Sequence, residues 1–249
     1  MAGHDLTLLR RDPWSVVALV VMPFLLMLFV TPLSRDALIE RGYRAVNGTE
    51  QSVPGITILF AYFLVSTAGI SILREHAWGT WNRLRATPLR SAELVVAKAL
   101  VPVAVLMLQM SVLFAAAQLV LGLRVRGPAF ALLPVAAALA VCLVSLGMAL
   151  VTVVRSLQQL TSGVNVLALV SGGLCGAFAP VADFPAWARL LARITPGYWA
   201  MRGFQAVLLE QSGIGAVTVP TAVLLLFALL FASVAAVRLR VADTKNAFS

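Results

Sequence analysis

Charged side chains are scarce in this chain. Only 12% of its 249 residues are Asp, Glu, Lys or Arg, and 61% are hydrophobic. A soluble globular domain has about 25% charged and about 45–50% apolar residues. The scarcity of charge therefore excludes an ordinary soluble domain. It predicts an integral membrane protein in which one helical bundle, a single transmembrane domain, takes up residues 1–249.

Histidine and cysteine are nearly absent as well. His4 and His76 both lie outside the apolar runs, which excludes an H-E-x-x-H zinc site and a Ser-His pair within the membrane. Cys142 and Cys175 lie inside apolar runs and make neither a metal site nor a disulfide framework. We therefore expect no catalytic residue and no metal bound by this chain.

A phosphate-binding loop is missing too. Such a loop needs a glycine-rich turn followed by Gly-Lys-Ser or Gly-Lys-Thr. The chain has only two lysines, Lys98 and Lys245, which Ala99 and Asn246 follow. We expect that this chain binds no ATP and no other cofactor. The net charge of +9 indicates basic loops beside anionic lipid headgroups rather than a nucleic-acid partner.

Long apolar runs are abundant. A helix needs about 20 apolar residues to cross the hydrocarbon core, and six stretches qualify, although five or seven spans result if residues 180–209 are divided differently. The predicted fold is an all-α membrane bundle with an amphipathic N-terminal segment. Its six spans cover residues 14–33, 53–73, 94–121, 129–154, 160–178 and 217–237.

Residues 180–209 are too polar for a plain membrane span. They include Asp183 and Arg202, and a charge at the centre of a span costs about 2.5–3.5 kcal/mol. The helical spacing of Trp187, Leu190 and Ile194 predicts an amphipathic element. We expect a short outer pair of helices that lies on, or dips into, one face of the membrane before the last span.

Six spans place both termini on the same side of the membrane. The inner loops then hold slightly more Arg and Lys than the outer loops, including the dense cluster from Arg74 to Arg90. The positive-inside rule therefore predicts cytoplasmic termini in the cell membrane. Asp and Glu are absent from all six predicted span interiors. This disfavours a proton-coupled secondary transporter, which usually keeps an acidic relay at membrane depth.

The polar segment from Arg74 to Glu93 interrupts two apolar runs. Trp78, Trp81 and Leu84 fall near one face of a short helix that a proline at position 88 ends. An amphipathic helix of this kind either anchors in lipid headgroups or docks a soluble partner. The pattern alone leaves both interpretations open.

The segment resembles the first cytoplasmic loop of the permeases of type-2 ABC exporters, whose pattern is an acidic residue, Gly-Thr and a basic-Leu stretch into Thr-Pro-Leu. A second match runs from Phe184-Pro185-Ala186-Trp187 to Pro196-Gly197-Tyr198-Trp199. The resemblance is closer to the drug-resistance branch than to polysaccharide exporters. It implies that a coupling helix contacts the ATPase through Glu75, Trp78, Gly79, Thr80, Arg83, Leu84, Thr87, Pro88 and Leu89.

The resemblance also implies the partners and the function. A separate P-loop ATPase in two copies would bind ATP and Mg²⁺, and a second permease copy or a paralogue would complete the pathway within membrane lipid. We expect a permease that exports hydrophobic or amphipathic compounds such as drugs or antibiotics. The alternatives are an exporter of a lipid or lipid-linked glycan and, in a different class, a membrane enzyme or secondary transporter without an ATPase.

Polar side chains within the spans have two interpretations. Hydrogen bonds between helices are the ordinary one. The other is the lining of a substrate path, for which Ser66, Thr67, Ser162 and Asn165 are the candidates. Ser162 and Asn165 are the best of them, because the resemblance places the fifth span beside a dimer axis. Gly172 and Gly176 form a G-x-x-x-G pair, whose default interpretation is close helix packing.

Overall fold

The computed structural model describes residues 17–43, 46–65, 91–154, 156–210 and 213–245, of which residues 17–18, 91–98 and 239–245 are described as backbone only. Within these ranges the structure is all-helical, with no strand. A π-helical turn, Val17–Val21, leads into the first of eight α-helices. They are α1 (Met22–Glu40), α2 (Thr49–Phe63), α3 (Ser91–Val120), α4 (Leu132–Val151), α5 (Leu157–Leu174), α6 (Ala186–Arg193), α7 (Pro196–Leu208) and α8 (Ile214–Lys245).

Four of the helical stretches are long and apolar enough to cross a membrane: Leu19–Glu40, Ala99–Val120, Ala129–Val151 and Ile214–Arg238. They correspond to the first, third, fourth and sixth predicted spans. The second and fifth predicted spans coincide with the helices α2 and α5. Within the described residues, neither helix is both long and apolar enough to be counted with these four. Helix α2 has 15 residues, and the first half of α5 contains the polar side chains of Gln158, Gln159, Thr161, Ser162 and Asn165.

The first predicted span, residues 14–33, ends too early. Helix α1 continues through Arg35 and Asp36 to Glu40, because its end is set by backbone geometry rather than by the loss of apolar residues. Gly42 has a φ of +83°, and the N–H of Tyr43 donates to the carbonyl of Leu38 at 3.1 Å. This is a Schellman ending, in which a left-handed glycine terminates the helix.

The connections after α1, α3 and α5 meet at one end of the bundle. The amide of Asn47 donates to the carbonyl of Gly122 at 2.8 Å, which joins the first two of these connections. The N–H of Gly127 donates to Val207 at 2.9 Å, and Arg41 forms an ion pair with Asp183 at 2.7 Å. We call this side the loop end. Helix α4 starts there and is about 30 Å long at 1.5 Å per residue, so its last residues reach the opposite end.

The pair α6 and α7 does not lie on the surface as a unit. Helix α6 lies on the surface, since Trp187 and Leu190, together with Ile194 directly after the helix, are all more than 60% exposed. Helix α7 instead packs against α2, α4 and α8, and Phe204 and Val207 are fully buried. The expectation of a surface element therefore fails for α7. The sequence of α7 suggests a polar helix because it contains Arg202 and Gln205, whereas the remaining positions of α7 form a broad apolar face.

The core lies where α7 is inserted between the long helices. Helix α8 runs along α4, and α7 contacts both of them near the loop end. Gly203 of α7 makes this possible, because a Cβ atom there would lie 2.9 Å from the side chain of Val135 and 3.2 Å from Pro220. The long helices thus hold α7, and α7 in turn carries the residues of the loop end.

Candidate functional site at the loop end of the bundle

The coupling residues predicted between Glu75 and Leu89 lie outside the described residues, as do Ser66 and Thr67. The other two candidates for a substrate path are described. Ser162 and Asn165 are exposed on the same side of α5, next to Val166 and Leu169, which are also exposed. This strip of α5 therefore points away from the bundle.

A cluster of polar side chains surrounds the start of α2. The carboxamide oxygen of Asn47 accepts from the backbone N–H of Thr49 at 3.0 Å and from its hydroxyl. The carboxylate of Glu50 accepts from the N–H of Gly48 at 3.2 Å through Oε2. Both oxygens therefore satisfy N–H groups that the first turn of a helix leaves without partners. Thr49 and Glu50 are fully buried.

The second oxygen of Glu50 has no hydrogen-bond partner among the described residues. A buried carboxylate is costly unless it is paired and hydrogen-bonded, so Glu50 is one of the more unusual groups in the molecule. No group of three or more His, Cys, Asp or Glu side chains gathers around it, or elsewhere in the described ranges, to hold a metal ion. The bond from Gly48 to Glu50 positions the start of α2.

Gln51 connects three elements beneath the loop end. Its side-chain N–H donates to the carbonyl of Gly176, at the end of α5. Its carboxamide oxygen accepts from the side chain of Gln205, on α7. Gln51 is 1% exposed. These bonds fix α2, α5 and α7 relative to one another through groups that are expensive to leave unpaired inside a protein.

Above these glutamines lies an open cavity of about 360 Å³. Its polar walls include Gln51 and Gln205, the hydroxyl-bearing Tyr198, and one carboxylate, Glu210. Four arginines also line it: Arg41, Arg189, Arg193 and Arg202. They come from the end of α1, from α6 and from α7, so the fold rather than the sequence brings them together.

The cavity has an excess of positive charge. Asp183 neutralises Arg41, whose guanidinium group also donates to the carbonyl of Pro180 at 3.5 Å. Even if Glu210 neutralises a second arginine, two of the four positive charges still have no acidic counterpart. Arg189, Arg193 and Arg202 are exposed on the cavity side. An open site of this charge attracts anions.

The walls of the cavity are held in place by hydrogen bonds to the bundle. The N–H of Gly197, in the first turn of α7, donates to the hydroxyl of Tyr62 on α2 at 3.1 Å. The indole N–H of Trp199 donates to the carbonyl of Arg193 at 2.9 Å. The first contact fixes α7 to α2, and the second fixes the end of α6 to α7. Cys175, which also lines the cavity, is fully buried.

The two glycines of the G-x-x-x-G pair have different roles. Gly172 packs against α2, since a Cβ atom there would lie 2.3 Å from a terminal methyl group of Leu59. Gly176 has a φ of +94° and ends α5 in a Schellman arrangement, in which the N–H of Ala177 donates to Gly172 at 3.2 Å. Close packing is confirmed for Gly172 alone.

Bundled apolar helices, four of them long enough to cross a membrane among the described residues, define a multi-pass membrane protein with an open cavity at one end. The family model for the ABC-2 type transporter matches residues 3–209. The chain belongs to this family and is the permease of an ABC exporter. The family is a membrane transport component, generally without an ATPase site of its own, and implies an ABC ATPase partner. Neither curated proteins nor solved structures gave a match.

Sequence reasoning missed most of this site. Glu50 and Gln51 lie just before the predicted second span and so were not considered among the buried polar groups. Arg41 is far from Arg189 and Arg202 in the sequence, and only the folded chain places it beside them around one cavity. One feature of the sequence predicts the start of α2, because Asn47-Gly48-Thr49-Glu50 combines the short polar residues that begin helices.

Proposed function

We propose that this permease exports hydrophobic or amphipathic compounds, drugs and antibiotics among them, in the inner (cytoplasmic) membrane. In this proposal two copies, or one copy and a paralogue, form the path, and two separate P-loop ATPase subunits supply the energy with ATP and Mg²⁺. The observation that carries it is the exposed strip of α5, where Ser162 and Asn165 lie among apolar side chains. Such a surface suits substrates that are mainly apolar with a few polar groups.

The described spans offer little charge to a substrate. Between residues 51 and 65, between 99 and 154 and between 156 and 182, the only charged residues are Arg124 and Arg126, in the connection after α3. Arg155 lies outside the described residues. A path along α5 would therefore bind its substrate through packing and neutral hydrogen bonds. This favours amphipathic compounds over highly charged ones.

Placing α5 at the junction of two copies leads to a cross-linking experiment. Cysteine at Asn165, in a chain whose Cys142 and Cys175 have been replaced by alanine, should form a covalent dimer under mild oxidation. The matched control is cysteine at Gln118, which is an exposed polar position on α3. Equal cross-linking at both positions, or none at Asn165, would refute the arrangement around α5. Loss of efflux of amphipathic dyes in Asn165→Leu, but not in Gln118→Leu, would support the path itself.

The proposed topology has six spans and both termini in the cytoplasm, so the loop end faces outward. The polar segment from Arg74 to Glu93 then lies at the opposite, cytoplasmic end as a coupling helix. ATP-driven closure of the ATPase pair would push on this helix and bias the bundle from inward to outward access, which is a two-state change driven by a distant ligand. The resemblance of this segment to coupling loops supports the proposal.

Coupling can be separated from simple anchoring in lipid by three variants. Gly79→Leu and Glu75→Ala should reduce efflux and co-purification of the ATPase while the permease still accumulates in the membrane. A side chain at Gly79 would hold the partner away from the helix backbone. If only the double variant Trp78→Ala with Trp81→Ala loses function, and does so by failing to accumulate, the segment is a lipid anchor. The purified permease alone should show no ATP turnover.

The alternative substrate is a lipid or a lipid-linked glycan. The arginine-lined cavity at the loop end is the observation that favours it, because lipid headgroups carry phosphate. Competition between amphipathic dyes and lipid-linked glycans in reconstituted vesicles distinguishes the two substrate classes. A membrane enzyme or a secondary transporter would instead act without any ATPase partner, and transport that continues after removal of the ATPase would favour it.

A further inference from the structure

We propose that the cavity at the loop end is a binding site for a phosphate group, and that its natural occupant is the headgroup of an anionic membrane lipid. Four arginines line the cavity against one carboxylate, Glu210. After Asp183 is paired with Arg41, at least two guanidinium charges remain for a ligand. Arginine binds phosphate oxygens through two parallel hydrogen bonds, which gives such a site both affinity and orientation.

Helix α6 has a buried side, an exposed apolar side and a side that carries arginine, and this arrangement indicates why the ligand is a lipid. Ala188 and Ala192 are buried against the bundle, whereas Trp187 and Leu190 are about two-thirds exposed. At 100° per residue, Arg189 lies away from both of these sides and lines the cavity. An amphipathic helix with such an apolar face lies at the boundary between headgroups and acyl chains. The arginines of α6 are thereby placed at the depth of the lipid phosphates.

The floor and wall of the cavity add neutral groups. Gln51 and Gln205 form the floor, and Tyr198 contributes a hydroxyl group to the wall. The glutamines are already bonded to each other and to Gly176, so the floor is fixed before any ligand arrives. A preformed site of this kind binds with less loss of conformational entropy than a flexible one.

The experiment uses the purified full-length permease in nanodiscs of phosphatidylcholine, with or without phosphatidylglycerol. Phosphatidylglycerol should raise the thermal unfolding temperature of the native protein, because a ligand that binds only the folded state stabilises it. In the double variant Arg193→Gln with Arg202→Gln this increase should disappear. We expect the apparent affinity to fall about tenfold for each arginine removed.

Arg124→Gln is the matched control, because it removes one exposed positive charge at the same end but outside the cavity. It should keep the full effect of phosphatidylglycerol. Arg202→Lys, which keeps the charge but loses the bidentate geometry, should retain part of it. If the double variant does not fold in phosphatidylcholine alone, the single variants Arg189→Gln and Arg202→Gln, on different helices, replace it.

A second arm separates the two sources of phosphate. Inorganic phosphate is titrated into the protein in phosphatidylcholine nanodiscs while tryptophan fluorescence is followed, with Trp199 bonded to Arg193 as the local reporter. No change, together with a specific phosphatidylglycerol effect, supports the lipid. A change in the native protein that the double variant lacks keeps the site but assigns it a soluble anion.

The inference is overturned if phosphatidylglycerol has no effect, or if it stabilises the native protein, the double variant and the Arg124→Gln control equally. In the latter case the lipid acts on net charge rather than on this cavity. The experiment needs no ATPase and no transport. Its failure would remove support from the lipid alternative but leaves the proposed export of amphipathic compounds untouched, and a failure of that export proposal leaves this site untouched.

Discussion

The close approach of α2 to the chain after α5 gives the sharpest prediction. A Cβ atom on Gly55 would lie 2.5 Å from the Cα atom of Ala177 and 3.2 Å from its carbonyl oxygen. Favourable contacts between carbon atoms occur at about 3.5–4.0 Å, so Gly55→Ala is short of space by about 1 Å. The atoms in the way are backbone, and Ala177 is itself fully buried and bonded to Gly172.

The magnitude follows from two opposing effects. Replacing a glycine by alanine inside a helix stabilises the folded state by about 0.5–1 kcal/mol. Forcing an extra methyl group into a packed interior costs about 1–3 kcal/mol. Because neither α2 nor residue 177 can move independently, we expect the second effect to dominate. Gly55→Ala should reduce the free energy of unfolding by roughly 1–2 kcal/mol.

Gly163→Ala is the matched control, since Gly163 is also helical but a Cβ atom there would meet nothing within 4 Å. It should leave the stability unchanged or raise it by up to about 1 kcal/mol. Both variants are measured by equilibrium unfolding in mixed detergent micelles and by thermal unfolding. A Gly55→Ala protein as stable as Gly163→Ala would refute the described contact between α2 and Ala177.

Three further predictions test other parts of the structure. Gly172→Ala should cost less than Gly55→Ala in the same unfolding assay, because the group it meets is a terminal methyl of Leu59 that can rotate away; an equal or greater loss would contradict this. Glu50→Ala should destabilise by about 1–3 kcal/mol, since the N–H of Gly48 loses its acceptor, whereas Glu50→Gln keeps an oxygen there and should stay close to the native stability; equal losses would refute the capping role. Cysteine at Arg124 should be labelled only from outside the cell and cysteine at Gln158 only from inside, as both are exposed but lie at opposite ends, and the reverse result would invert the proposed orientation.

The sequence predicted helices well where apolar runs are long and interrupted by Gly and Pro. The third and fourth predicted spans agree with α3 and α4 to within about three residues, because Arg124, Arg126 and Gly127-Pro128 separate the two apolar runs. Helix ends that depend on a glycine with left-handed backbone geometry were harder to predict from the sequence. Helix α1 ends at Glu40, just before Gly42 and seven residues after the apolar run at Leu33, since hydropathy contains no information on φ.

The burial of α7 shows a second limit of hydropathy. Its polar residues suggested a surface location, yet Arg202 and Gln205 occupy only part of its circumference. They line the cavity, and Phe204 and Val207 fill the core. A helix with one polar strip can be central in a bundle when that strip faces an opening. The average polarity of a segment therefore does not determine its burial, whereas the arrangement of polar residues around the helix does.

Glu50 tests the argument against a proton-coupled transporter most directly. The predicted spans contain no acidic residue, but Glu50, just before the second of them, is fully buried in the first turn of α2. A relay, however, needs further titratable groups along the path. From residue 51 to 65, from 99 to 154 and from 156 to 182 the sequence has no Asp, Glu, His or Lys. Glu50 therefore has no further relay residue of these types along these stretches, and one of its carboxylate oxygens already accepts from the N–H of Gly48 at the start of its own helix. Glu50 is thereby better suited to hold the loop end together than to pass protons through the bundle.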